Sequence, residues 1–142
     1  MYKNILVPID VWENNLTDLV TSHVENIAKI EDSYIHFITI IPTFSYPGID
    51  ANLSKFDAKQ LLLESIEIEL NQVIKRFIVP NDRVQYHISI GSVKDEILKL
   101  AEKICADLII IGSRRPSVTT HLLGSTAASI VRYAKSPVLV IR

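Results

Sequence analysis

Three residues that open a predicted helix could bind a phosphate group. Gly124, Ser125 and Thr126 lie at the start of a helix of small residues, where free backbone N–H groups and the positive end of the helix dipole favour an anion. In the same segment, Arg114 and Arg115 could make charge-assisted contacts with phosphate oxygens. The alternative stays equally open: the glycines of this segment are then ordinary turn and cap residues, and both arginines are merely solvated.

Two further segments lie where a parallel sheet would bind a ligand. Pro8-Ile9-Asp10 ends the first predicted strand, and Gly112-Ser113 ends the fourth. Ligands of open α/β sheets bind outside the carboxyl ends of the strands, at the point where the strand order reverses. If the fourth strand lies beside the first, these segments and Gly124-Ser125 face each other across one crevice.

Other kinds of site have no support in the sequence. No G-x-G-x-x-G follows the first strand, and no G-x-x-x-x-G-K-[ST] occurs anywhere, which excludes the standard dinucleotide and P-loop motifs. The histidines lack metal-ligand spacing, and no serine or cysteine lies in a nucleophile-elbow pattern. We expect packed structural roles for His23, His36 and Cys105, whereas His121 lies in the predicted phosphate segment.

Strand and helix patterns alternate along the whole chain, which favours βα units around a mostly parallel sheet. The predicted strands cover residues 5–9, 34–41, 84–90, 107–111 and 137–141. Two predicted helices cover about residues 14–30 and residues 126–134. Two more are indicated by apolar stripes, a long one from 62 to 77 and one from 97 to 105 that follows a cap at Ser92. The period-two alternation of the third strand predicts a sheet edge. Residues 42–56 have loop composition with three aromatic side chains, so a lid or contact loop is plausible.

Composition excludes several classes of partner. A net charge of −1 with 22% charged residues gives no surface for a polyanion, so we expect no nucleic-acid partner. The longest apolar runs are far shorter than the roughly 20 residues that cross a bilayer, so we expect no membrane partner. One cysteine, and the absence of a signal-peptide pattern after Met1, predict a cytoplasmic protein.

Five segments of the chain resemble the universal stress protein family. They are KNILVPID (3–10), GSVKDEI (91–97), ADLIIIGS (106–113), GS (124–125) and SPVLVI (136–141). Within that family the chain is similar to the enterobacterial F/G type, through Arg115-Pro116 and Thr119-Thr120. The resemblance implies one domain over residues 1–142, with a doubly wound three-layer αβα fold. It also implies a five-stranded parallel sheet in the order 3-2-1-4-5, with about four helices.

The resemblance further implies a site for ATP, or for ADP or AMP, with Mg²⁺ as a potential companion. Asp10 would accept a hydrogen bond from the ribose or orient a metal. The remaining implied residues are Pro8 and Ile40 at the adenine, Ile111 and Gly112 at the pocket floor, and Gly124, Ser125 and Thr126 at the phosphates. There are simpler interpretations of three of these residues. Asp10 would then cap the region near helix one, and Ile40 and Ile111 would be ordinary core residues.

One departure from the family pattern affects the phosphate segment. Nucleotide-binding members have a glycine, two residues, a second glycine, nine residues and then Gly-Ser or Gly-Thr. Here Gly112 and Gly124-Ser125 match the ends, but Arg115 takes the place of the second glycine, and the stretch after it is one residue shorter. Arg115 could block the phosphates or clamp them, and we favour the clamp.

The function implied is that of a nucleotide-binding stress-response protein that acts as a dimeric regulatory module. The apolar last strand, Val138–Ile141, predicts a homodimer because an uncovered sheet edge invites pairing with a second copy. Two alternatives remain: a nucleotide-free interaction protein that uses the 42–56 segment, or a slow enzyme that hydrolyses ATP or transfers adenylyl groups.

Overall fold

Short runs of β-branched residues form the centre of the molecule, as the sequence predicts. The structure is a computed structural model that describes residues 1–42, 55–113 and 124–142. Within these residues five parallel strands form one sheet in the order β3-β2-β1-β4-β5. The strands are β1 Asn4–Pro8, β2 Tyr34–Ile41, β3 Val84–Ile90, β4 Leu108–Gly112 and β5 Val138–Ile141. The predicted fold class, strand order and edge position of β3 are confirmed.

Four helices connect the described strands. They are α1 Asn14–Glu31, α2 Lys55–Ile74, α3 Val93–Lys103 and α4 Ser125–Tyr133. The predicted cap of α3 is present, because the Ser92 hydroxyl accepts a hydrogen bond from the backbone N–H of Asp95 at 3.5 Å. Among the described helices, none combines the length and the apolar character needed to span a membrane.

The two faces of the sheet bury separate apolar clusters. On one face, Ile5 and Val7 of β1 pack with Val24 of α1 and Leu70 of α2. On the other face, Leu6 of β1 packs with residues of α3 and α4, among them Ile97, Ala101 and Ile130. Alternate residues of the central strand therefore point to opposite helical layers, which is why β1 is apolar along its length.

The structure corrects two predictions of burial. Cys105 is exposed, because α3 ends at Lys103 and Cys105 follows with a backbone φ of 51°, so its side chain leaves the apolar stripe of the helix. His23 is also exposed, since the buried positions of α1 are Thr17, Val20, Val24 and Ala28, and residue 23 lies off that stripe. The predicted loop 42–56 lies mostly outside the described residues, and its last two residues belong to α2.

His36 is buried as predicted, but it has an ionisable neighbour that the sequence did not indicate. Its Nδ1 lies 3.3 Å from Nε2 of His87 on β3, and the two rings stack with centroids 5.6 Å apart. Burial lowers the pKa of His36 below its ordinary value of 6.5, and the nearby His87 lowers it further. Burial likewise lowers the pKa of His87, with Lys103 as the second cause. Both rings therefore resist protonation more than an exposed histidine does.

Acid should destabilise the protein through this pair. Below about pH 6.5 the unfolded chain binds protons at both histidines while the folded chain resists them, so the free energy of unfolding falls as the pH is lowered toward the folded-state pKa values. Urea titrations at several pH values between 7.5 and 5 would measure this slope. A double variant, His36→Leu with His87→Gln, should flatten it, whereas Ser89→Ala on the same strand should not. A double variant whose free energy of unfolding depends on pH as steeply as that of the wild type would contradict the assignment to His36 and His87.

Candidate functional site

A cavity of about 380 Å³ lies at the carboxyl ends of the central strands. It occupies the point where the strand order reverses, because β1 pairs with β2 on one side and with β4 on the other. Its lining residues come from the ends of β1, β2 and β4, from the segments that follow β1 and β2, and from the amino-terminal parts of α1, α3 and α4. They are Pro8, Ile9, Asp10, Trp12, Leu16, Thr17, Ile40, Pro42, Val93, Ile97, Ile111, Gly112, Gly124, Ser125, Thr126 and Ala127.

Asp10 organises the turn that leads from β1 into α1. Its Oδ1 accepts a hydrogen bond from the backbone N–H of Trp12 at 3.0 Å, and its backbone oxygen accepts one from Glu13 at 3.0 Å. The side-chain bond forms a turn before α1, whereas the cap position of the helix itself is Glu13. Asp10 also lies in the cavity wall, so the structural role and a ligand role are compatible at this position.

Gly112 lets the first turn of α1 approach the end of β4. A Cβ atom at this position would lie 3.1 Å from the backbone oxygen of Leu16 and 3.5 Å from its Cδ2. Since a backbone oxygen cannot swing aside as a flexible side chain can, the glycine is what allows this close approach. The same contact holds Leu16 and Thr17, which are both cavity residues, against the strand end.

Ser113 joins the end of β4 to the start of α4. Its backbone N–H donates to the oxygen of Ile141 at 2.8 Å, and its buried hydroxyl accepts from the backbone N–H of Gly124 at 3.2 Å. This bond sets the position of Gly124, Ser125 and Thr126 at the cavity. The role of Ser113 was not predicted, although its place directly after Gly112 at a strand end was a signal for it.

The amino terminus of α4 supplies the electrostatic character that suits an anion. Gly124 precedes the helix, and Ser125 and Thr126 form its first turn beside the cavity. Free N–H groups and the helix dipole make this end partly positive. Among the described lining residues, Asp10 is the one with an ionisable side chain, so no cationic side chain of the described segments balances an anion here.

Most of the remaining wall is apolar. Ile40 and Ile111 are almost fully buried strand residues that each present part of their surface to the cavity, together with Pro8 and Val93. Ile40 and Ile111 are therefore both core residues and residues of the cavity wall. A mostly apolar cavity with a few polar groups is the common form of a small-molecule site.

The structure brings together eight of the ten residues predicted for the site. Pro8, Asp10, Ile40, Ile111, Gly112, Gly124, Ser125 and Thr126 all line the one cavity. Arg114 and Arg115, and also His121, lie outside the described residues. Thr17 lines the cavity without having been predicted, and Trp12, for which covering the crevice and burial against helix one were the two interpretations, lines it and is 55% exposed. Within residues 1–42, 55–113 and 124–142, no three His, Cys, Asp or Glu side chains cluster as metal ligands.

Comparison with known proteins gives the family. The model of the universal stress protein family matches residues 1–142. Universal stress protein G of Escherichia coli O157:H7 is 39% identical over 145 residues, and the alignment covers 100% of both chains.

Solved structures show the same fold. The hypothetical protein MJ0577 superposes with a TM-score of 0.79 at 24% identity, with 99% of this chain and 96% of that chain covered. A universal stress protein in complex with cAMP gives a TM-score of 0.69 at 21% identity over 99% and 97% of the chains. One from Archaeoglobus fulgidus in complex with dAMP gives 0.65 at 18% identity over 99% and 98%. With the family model, the full-length relative and the shared fold in agreement, this chain belongs to the universal stress protein family.

Proposed function

We propose that the protein binds an adenine nucleotide, ATP or its relatives ADP and AMP, in the cavity between β1 and β4. In this proposal the bound nucleotide regulates the protein in a stress response, and the protein is not a fast catalyst. The place of action is the cytoplasm, where the exposed thiol of Cys105 would stay reduced.

One observation carries the proposal: a single cavity joins an apolar slot to a helix amino terminus across a strand-order reversal. The adenine would lie against Pro8, Ile40 and Ile111, with Gly112 at the floor. The ribose hydroxyls would donate to the Asp10 carboxylate. The phosphates would accept hydrogen bonds from Ser125, Thr126 and the free N–H groups at the start of α4.

The dipole of α4 alone would not balance the negative charge of the phosphates. Arg114 and Arg115 precede Gly124 in the chain and are our candidates for clamping them. Mg²⁺ would bind together with the nucleotide. Asp10 is the only carboxylate in the described wall, and one carboxylate together with phosphates and waters is an ordinary Mg²⁺ environment. Two structural neighbours were solved with cAMP and with dAMP, which supports the adenine part of the proposal.

We also propose that two copies associate through β5. This strand lies at the edge of the sheet, and its first three residues, Val138, Leu139 and Val140, are only partly buried. The edge is apolar and would pair antiparallel with its two-fold mate. A dimer would keep both cavities open, since they lie at the strand ends and β5 contributes no lining residue in the described part of the chain.

The nucleotide proposal is tested by melting and calorimetry. A nucleotide at roughly 100 times its dissociation constant should add about 2.7 kcal/mol to stability, which appears as a higher melting temperature. Asp10→Asn should weaken ATP binding by about tenfold, because the amide accepts ribose hydrogen bonds less strongly than a carboxylate does.

Asp82→Asn is the matched control, since it removes an exposed carboxylate from the turn before β3. It should bind as the wild type does. A wild type that gives no melting shift with ATP, ADP or AMP, yet captures a protein partner, would replace this proposal with the interaction-protein alternative. Release of labelled phosphate above background that is lost in Asp10→Asn would instead indicate a slow enzyme.

A further inference from the structure

The two strands that flank the cavity separate before they end. On one side, β1 pairs with β2 along its whole length, and the N–H of Ile9 continues this pairing with a bond to the oxygen of Ile38 at 2.7 Å. On the other side, β1 pairs with β4 only at Ile5 and Leu6, in the described part of the chain. The last three residues of β4 then pair with β5 alone. A gap between β1 and β4 therefore opens toward the cavity.

Pro8 explains why the pairing stops at this point. In a parallel strand, the backbone groups of successive residues point alternately to the two neighbouring strands. Since Ile9 bonds to β2, Pro8 faces β4, where in a continued register its N–H would donate to the oxygen of Ile110. Proline has no N–H, so this bond of the ladder cannot form.

The gap gives a ligand room between the two strand ends. Neighbouring strands of a paired sheet lie about 4.7–4.9 Å apart. A ligand in van der Waals contact with a wall on each side needs roughly 7–8 Å between the walls, which is twice the usual contact distance of about 3.5–4.0 Å. Pro8 of β1 and Gly112 of β4 both line the cavity. Continued pairing would bring these two strand ends too close together to hold a ligand between them.

We infer that Pro8 is a positioning residue, which holds the nucleotide slot open by ending the pairing of β1 with β4 two residues before β1 itself ends. The inference rests on the proposed function. It gives the backbone of Pro8 a role that is separate from the contact of its ring with the adenine. A residue with an N–H at position 8 would let the ladder continue, and a nucleotide would then have to break the new bond before it could bind.

The test restores the N–H with two substitutions and measures AMP and ATP binding by calorimetric titration. Pro8→Ala removes most of the ring, whereas Pro8→Val keeps apolar bulk in the wall and suits a strand. Both variants should bind about 3- to 10-fold more weakly, because binding now costs one ladder hydrogen bond.

Hydrogen exchange of the nucleotide-free variants reports the backbone directly. The new amide of residue 8 should exchange about as slowly as that of Ile9, which already bonds within the sheet. Pro80→Ala is the matched control, since it removes an exposed proline from the segment before β3. It should bind AMP and ATP as the wild type does.

Three results would overturn the inference and leave the proposed function intact. Unchanged affinity in both Pro8 variants would show that the slot stays open without the proline. Normal affinity in Pro8→Val with weak binding in Pro8→Ala would assign the effect to the contact of the ring. Fast exchange of the residue 8 amide in both variants would show that the ladder does not continue. A wild type that binds neither AMP nor ATP would overturn the inference and the proposed function together.

Discussion

A Gly112→Val variant should bind nucleotide at least about tenfold more weakly. The new Cβ would lie 3.1 Å from the backbone oxygen of Leu16, and valine adds two methyl groups that also need space at the end of β4. That turn has to move, and it carries Leu16 and Thr17 of the cavity wall with it. Wild type with nucleotide at roughly 100 times its dissociation constant gains about 2.7 kcal/mol, and the variant should gain at most about 1.4 kcal/mol at the same nucleotide concentration.

The same substitution should also lower the free energy of unfolding by about 1–3 kcal/mol, as overpacking generally does. Denaturation with and without ATP separates this loss from the loss of binding. Ile110→Val is the control, because it lies in the same strand, is fully buried and does not line the cavity. It should cost about 0.5–1.5 kcal/mol and keep the full nucleotide effect. A Gly112→Val protein whose melting shift with ATP is as large as that of the wild type would show that the nucleotide binds elsewhere.

The chemistry of the strand ends was largely predictable from the sequence. Apolar runs of four to five residues fix which segments are strands, and parallel strands place their carboxyl ends at one edge. Asp10 and Gly112 were therefore expected to meet once the strand order was known. That order came from family resemblance, since periodicity alone does not say that β4 lies beside β1.

The contacts that depend on side-chain direction could not be predicted in the same way. Thr17 sits at helical spacing with apolar neighbours, and nothing in its residue type distinguishes a hydrogen-bonded threonine from one whose buried hydroxyl has no partner among the described residues. The His36–His87 contact requires the register of β2 against β3, in which His36 lies beside Gln85 and His87 beside Ile38. Cys105 was misplaced because the helical stripe was extended past the true end of α3 at Lys103.

A Leu139→Lys variant should convert the proposed dimer into a monomer. Leu139 lies on β5, which pairs with β4 on one side only among the described strands. In a two-fold antiparallel pairing of β5 strands, two lysines would lie close together across the new contact, and natural edge strands use lysine to prevent such pairing. Because each copy in a symmetric dimer carries the lysine, one substitution places two like charges at the interface and should be sufficient to separate the copies.

Sedimentation at micromolar concentration would measure the change as a halved mass. Gln85→Lys is the control, because it places the same exposed charge on β3 at the opposite edge of the sheet. It should leave the mass unchanged if pairing uses β5. A dimer that persists in Leu139→Lys and dissociates in Gln85→Lys would move the interface to β3, and a wild type that sediments as a monomer would remove the dimer from the proposal. Nucleotide binding should survive in the Leu139→Lys monomer, since every described residue of the cavity comes from one chain and none from β5.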